Sequence, residues 1–163
     1  MPHRAQMIGI LSLALTLYAA RADQAAKPQD APASGEHAVN GVKVELIELK
    51  RESPTEVLAR WRYRNGTGET RRLTSEATGP LDVYRLSVNS YLLDEQTQAK
   101  YPVERDSHND PVASRTGRAN EFITIYPKST IQVWARYSVP EAVTTVNVVI
   151  EGVQPFARML IAH

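Results

Sequence analysis

The sequence predicts an all-β fold, an antiparallel sandwich of about seven to nine strands, and three observations carry that prediction. Apolar and polar residues alternate with a period of two through most of the chain beyond residue 40. Gly, Pro and Asn interrupt that alternation roughly every eight to twelve residues, the spacing of short strands joined by turns. No stretch beyond residue 40 keeps a helical period over about eleven residues. A chain of 163 residues also suffices for one domain whose core needs no covalent staples.

The amino terminus stands outside this pattern. A short basic start with Arg4 leads into an apolar run over residues 7–20, which ends near Ala20, Arg21 and Ala22. This is the pattern of a secretory signal peptide over residues 1–22, with cleavage expected after Ala22 and Ala20 as the alternative site. A run of about fourteen residues is short of the roughly twenty that span a bilayer. Residues 23–40, rich in Ala, Pro, Gln and Ser, predict a flexible leader in which His37 is a solvated linker histidine. The sandwich is then expected over residues 41–163.

Gly41 opens a first strand with Val42, Val44 and Leu46 on one face. Ile47 and Leu49 break its phase as a β-bulge would, and the strand is expected at a sheet edge. After Ser53-Pro54, Val57, Ala59, Trp61 and Tyr63 alternate with Leu58, Arg60, Arg62 and Arg64. Trp61 is the foremost core candidate, a large indole packed between two sheets. Asn65-Gly66 is a hairpin signal, and a short strand is expected over residues 70–74, followed by a break at 78–80. Tyr84, Leu86 and Val88 predict a strand, and Tyr91 and Leu93 resume in the other phase. A polar loop at 94–98 then leads into a strand holding Tyr101 and Val103, where Pro102 argues for an edge or a bulge. Brief strands are expected over 112–115 and 122–125. Residues 129–156 carry two patterned strands around Pro140-Glu141, read as the central pair of the sandwich. Residues 156–161 close the chain as a strand apolar on both sides. The number and spacing of these strands point to a sandwich of immunoglobulin-like type.

Charge and composition narrow the function classes. Setting aside Arg4 and Arg21 leaves seventeen basic residues against eighteen acidic, so the processed chain is near neutral and implies no nucleic-acid partner. With no cysteine there is no disulfide, thiolate metal site or thiol nucleophile. No transmembrane segment is expected once the signal is removed, and no cofactor is implied.

Two places could bind. Arg60, Arg62 and Arg64 stand about 7 Å apart along one strand face, a cationic stripe suited to an anionic polymer or lipid headgroup. The competing reading pairs them with Glu45, Glu48 or Glu56 on a solvated face. Trp134, between Gln132 and Arg136, is either buried by a crossing loop or an exposed aromatic anchor for a partner. Asp106, His108 and Asp110 cluster in one turn, loosely like the start of a calcium loop. They lack the glycine at the sixth place and the glutamate at the twelfth, and an Asx-type turn explains them as well. Asn65-Gly66-Thr67 is formally a glycosylation sequon.

The segments YLLDEQTQAKYPVERD at 91–106, DPVASR at 110–115, IYPKSTIQVWARY at 125–137 and VNVVIEGVQPF at 146–156 resemble exported bacterial immunoglobulin-like domains of the mycobacterial immunoprotective-antigen type. The resemblance covers about residues 42–161. It implies a secreted or periplasmic, non-catalytic domain, with no catalytic residue to carry over. The expected function is therefore an interaction or accessory domain of the bacterial envelope or secretome, binding a protein partner through a sheet edge or the loops at one end. The alternative is an anionic envelope polymer or lipid held by the arginine stripe. A third, a metal-dependent hydrolase, would use Asp106, His108 and Asp110.

Overall fold

The computed structural model describes residues 28–77, 79, 82–118 and 120–163. The signal peptide expected over residues 1–22 and the first five residues of the expected leader lie outside the described residues. The strands are β1 (Ala33–Glu36), β2 (Val42–Ser53), β3 (Glu56–Asn65), β4 (Arg71–Arg72), β5 (Tyr91–Asp94), β6 (Ala99–Pro102), β7 (Thr124–Ile125), β8 (Thr130–Ser138), β9 (Thr145–Val149) and β10 (Phe156–Leu160), with one helical turn, α1 (Arg85–Val88).

One sheet has the order β1-β2-β3-β8 and the other β10-β9-β5-β6, while β4 and β7 form a small ribbon. Every pairing of these strands is antiparallel. The predicted all-β antiparallel sandwich is therefore the fold. The order β2-β3-β8 opposite β10-β9-β5 corresponds to the A-B-E and G-F-C arrangement of immunoglobulin-like domains. Ten strands are present among the described residues rather than seven to nine; β1 lies within the expected leader, while the two-residue β4 and β7 fall within the short strands expected over 70–74 and 122–125.

The alternation read from the sequence becomes the two faces of the first sheet. Val42, Val44, Leu46 and Leu49 of β2, Val57, Ala59, Trp61 and Tyr63 of β3, and Val133, Ala135 and Tyr137 of β8 turn inward and are buried. From the opposite sheet they meet Leu92, Val146, Val148, Phe156 and Met159 in one cluster. Trp61 is fully buried there, and its truncation to Ala is expected to cost about 3–5 kcal/mol. The Tyr137 hydroxyl lies 2.6 Å from Ser90 Oγ, which satisfies a polar atom at the centre of the core. The predicted bulge in β2 is present: register shifts between Leu46, opposite Trp61, and Glu48, opposite Arg60, which makes Ile47 the extra residue.

The sides of the sandwich are laced together. Gln29 pairs with β10, its N–H donating to Arg158 O at 3.0 Å and its carbonyl accepting from Leu160 N at 2.8 Å. The chain then changes sheets to become β1. Ala162 leaves β10 in the same way and bonds to Leu49 and Arg51 of β2. On the far side, β6 continues into Val103, which bridges Tyr137 of β8, and Ala113 bridges Ala135. The outer edge of β8 is thus covered by residues 103–114.

Five expectations are corrected. Residues 28–40 are not a loose leader, because they supply Gln29 and β1, whose residues pair with Lys43 to Leu46 of β2. For the same reason β2 is not an edge strand. Asn65-Gly66 does not close a hairpin: β4 pairs with β7, away from β3, and Gly66 N donates to Gly41 O at 3.0 Å. Residues 85–88 form α1, not a strand; a single turn is too short for periodicity to separate from alternation. Finally, β8 and β9 lie in opposite sheets. The Pro140-Glu141 connection crosses the sandwich, where both strands being apolar on one side reflects a shared core and not mutual pairing.

Candidate functional site

The outer face of the first sheet holds the residues singled out in the sequence. Trp134 stands opposite Arg60, Gln132 opposite Arg62, Arg136 opposite Leu58 and Thr130 opposite Arg64. The Trp134 backbone is held on its other edge as well, its N–H donating to Ser114 Oγ at 3.0 Å and its carbonyl accepting from Ser114 N at 2.9 Å. The indole is 38% exposed, so no loop buries it. Beside it the bulged Ile47 is 39% exposed, while Leu58 is nearly covered at 5%. Together with Glu52, Arg60 and Arg136 these residues line an open groove of about 510 Å³.

The arginines divide. Arg60 Nε lies 3.3 Å from Glu48 Oε2 and Arg62 is ion-paired with Glu45. Arg136 Nη2 pairs with Glu52 Oε2 at 3.0 Å. Arg64 faces Lys43 across β2, and Lys43 pairs with Glu36 at 3.1 Å. The stripe exists in geometry, but two of its three charges are met by carboxylates on the neighbouring strand, as cross-strand placement favours. Between these paired charges lies a partly exposed aromatic-aliphatic strip formed by Trp134 and Ile47.

The turn at 106–110 uses its groups internally. Asp106 Oδ1 accepts from His108 N at 2.8 Å and Asp110 N at 3.0 Å; the Asp110 backbone N–H, followed by that of His108, holds the carboxyl below its ordinary range. Asp106 Oδ1 thus closes an Asx turn. Among the described residues no group of three His, Asp or Glu is placed to hold a metal ion. Asn65 of the sequon is fully buried, and its Nδ2 donates to the carbonyls of Glu69, Ile125 and Tyr126.

His37 is not a solvated linker residue. It is half-buried, its ring meeting Tyr63 edge-on at 5.6 Å between centroids. Its Nδ1 accepts from Val39 N at 3.0 Å, so the neutral ring carries its proton on Nε2. Burial lowers its pKa, an effect that nearby Glu151 opposes. Gly152, at φ +76°, makes this packing possible, since a Cβ there would lie 2.6 Å from His37 Nε2.

His37 forms one wall of a second cavity, of about 440 Å³, at one end of the sandwich. The turn before β2, the segment after β4, α1 and the β9–β10 turn converge on it, bringing Arg72, Leu73, Arg85 and Leu86 next to Tyr63. Burial pushes the Tyr63 hydroxyl up to about 12, so it stays neutral. Nothing in the sequence signals this cavity: its residues are spread from 37 to 152 and only the sandwich topology gathers them. Ile47, too, reads in the sequence only as a change of phase, not as a surface residue beside Trp134. Compared with known proteins, the chain matches no family model, no curated protein and no solved structure.

Proposed function

We propose that this protein is an exported, non-catalytic interaction domain of the bacterial envelope or secretome, periplasmic or secreted, which binds a protein partner through the outer face of its first sheet. One observation carries the reading: Trp134 stands exposed beside Ile47 and Leu58 and is bordered by Arg60 and Arg136. Trp and Arg are the residues that most often dominate protein interfaces, acting as anchors around which polar groups exclude water. Export rests on the basic start and apolar run at residues 1–22. The ion pairs of Arg60 and Arg62 weigh against a bare cationic stripe for an anionic polymer, because a partner of that kind would have to displace Glu48 and Glu45.

The test places a photo-cross-linking side chain at Gln132, next to the groove, and at Val149 of the opposite sheet as control, in the full chain expressed in its native host. A discrete protein adduct from position 132 and none from 149 is expected. Trp134→Ala should then weaken capture of that protein at least tenfold, the scale of an interface hot spot, with the melting temperature nearly unchanged. Capture that survives Trp134→Ala, or that comes equally from 149, would overturn the assignment.

A further inference from the structure

We infer that the end cavity is a binding site for a small organic carboxylate with an apolar body, its carboxylate held by Arg72 and Arg85 and its body resting on Tyr63, Leu73 and Leu86. The cavity, at about 440 Å³, falls in the range of roughly 300–1,000 Å³ found for small-molecule sites.

Charge sets the sign of the ligand. Two guanidinium groups line the cavity against one carboxylate, Glu151, and Glu151 already accepts from Asn89 Nδ2 at 2.7 Å. Arg85 Nη1 is held by Asp82 Oδ2 at 3.3 Å, which fixes the side chain from outside the cavity lining. Its Nε, by contrast, is buried with no hydrogen-bond partner among the described residues. A buried N–H left without an acceptor is costly, and a carboxylate oxygen would satisfy it with a charge-assisted bond. The Arg72 guanidinium lies 3.9 Å above the centre of the Phe122 ring. Stacking fixes its plane and leaves the in-plane N–H edge clear of the ring.

The remaining wall sets the shape of the ligand. Tyr63 and Leu86 are buried at its base, Leu73 and Val39 pack against the same cluster, and the Tyr63 hydroxyl carries no charge to repel an anion. Bare phosphate or acetate would leave this apolar surface uncovered, whereas an uncharged body alone would leave Arg85 Nε unsatisfied. An anion with a ring or short chain meets both demands.

Calorimetric titration of the signal-free chain with phenylacetate, acetate, phenylacetamide and inorganic phosphate tests this, with the His37 ring protons followed by NMR. Phenylacetate should bind saturably, shift the His37 signals, and bind at least tenfold more tightly than the other three. Arg85→Gln should weaken it at least tenfold. So should Ala38→Glu, which sets a carboxylate at the exposed rim and leaves the melting temperature unchanged, whereas Trp134→Ala on the distant face should have no effect. The inference is overturned if phenylacetamide or phosphate binds as tightly as phenylacetate. It is also overturned if no saturation is reached by about 20 mM, beyond the weak end of useful affinity, or if Ala38→Glu leaves phenylacetate affinity intact.

Discussion

Replacing Arg51 by Met is expected to destabilise the fold by about 2–4 kcal/mol, and the figure follows from what each lost bond leaves behind. The side chain is 8% exposed, and among the described residues no carboxylate pairs with it. Its Nη1 donates to Pro54 O and Val139 O, each at 3.0 Å. Its Nη2 donates to Pro140 O at 3.2 Å and Val143 O at 2.7 Å. One guanidinium therefore ties the β2–β3 turn to the connection that carries the chain from β8 across to β9. Met keeps the bulk of the stem, so packing is largely preserved. The carbonyls of Pro54 and Pro140 belong to exposed residues and can turn to water. Val139 is buried, and an acceptor stranded there costs about 1–3 kcal/mol; half-buried Val143 adds a fraction of that. Urea unfolding followed by the fluorescence of buried Trp61 would measure the change as a shifted midpoint with unchanged slope. The melting temperature should fall by roughly 10 °C for a domain of this size. Arg51→Lys should lose nearly as much, because a compact ammonium cannot span four carbonyls. A Met variant within about 0.5 kcal/mol of the parent, or a Lys variant of full stability, would refute this account.

His37 titrates below its usual value of 6.5 because it is buried, so the unfolded chain binds the proton more readily; stability is full above pH 6.5 and declines as pH falls from there through the folded value. The urea midpoint measured from pH 7 to 5 should show this slope, and His37→Asn, which retains an acceptor for Val39 N–H, should remove it. Asn65-Gly66 should resist deamidation while folded, since Gly66 N, the attacking atom, donates to Gly41 O at 3.0 Å and the Asn65 amide is locked on three carbonyls; mass spectrometry should detect the one-dalton gain only under unfolding conditions. Deleting Ile47 should leave a folded protein with the Glu45–Arg62 and Glu48–Arg60 pairs intact, yet weaken partner capture several-fold. Retained capture would shift the binding role from the apolar strip to the arginines.

How far each feature could be read in the sequence depended on how local its cause is. The inward set Val57, Ala59, Trp61 and Tyr63 is legible because burial of one sheet face imposes a period of two on a ten-residue strand. The bulge is legible because an inserted residue shifts that phase. Neither β1 nor α1 leaves such a mark: each spans four residues, too few for a period, and β1 exists because β2 offers it an edge. The crossing between β8 and β9 is silent for another reason, since strands facing one core carry the same pattern whether they pair or oppose one another. Long-range contacts alone turn His37 from a linker residue into a packed one, because its partners Tyr63 and Gly152 are brought to it by β3 and by the β9–β10 turn.

The same geometry decides which surface is open for recognition. Strand addition needs an accessible edge, and this chain covers most of its own. Gln29 occupies the edge of β10, β1 and Ala162 together occupy that of β2, and residues 103–114 occupy that of β8. The edges left in the two four-stranded sheets belong to β1 and β6, each four residues long, and β6 ends in Pro102, which has no N–H to give; the outer edges of the β4–β7 ribbon are two residues long. Short and proline-blunted edges are poor templates for a partner strand, which is why the proposed contact is on a face rather than at an edge. On that face the bulge acts twice. By giving β2 one residue more than β3 at that point, it sets both Ile47 and Glu48 against Arg60, so that Glu48 pairs with the guanidinium while Ile47 lies exposed on the groove it shares with Trp134. Paired without the bulge, the same sequence would set Glu48 opposite Ala59, pointing into the core. The bulged register thus lets a carboxylate and an apolar residue share the outer face beside Arg60, which is why the proposed contact centres on Trp134 and not on Arg60, Arg62 and Arg64.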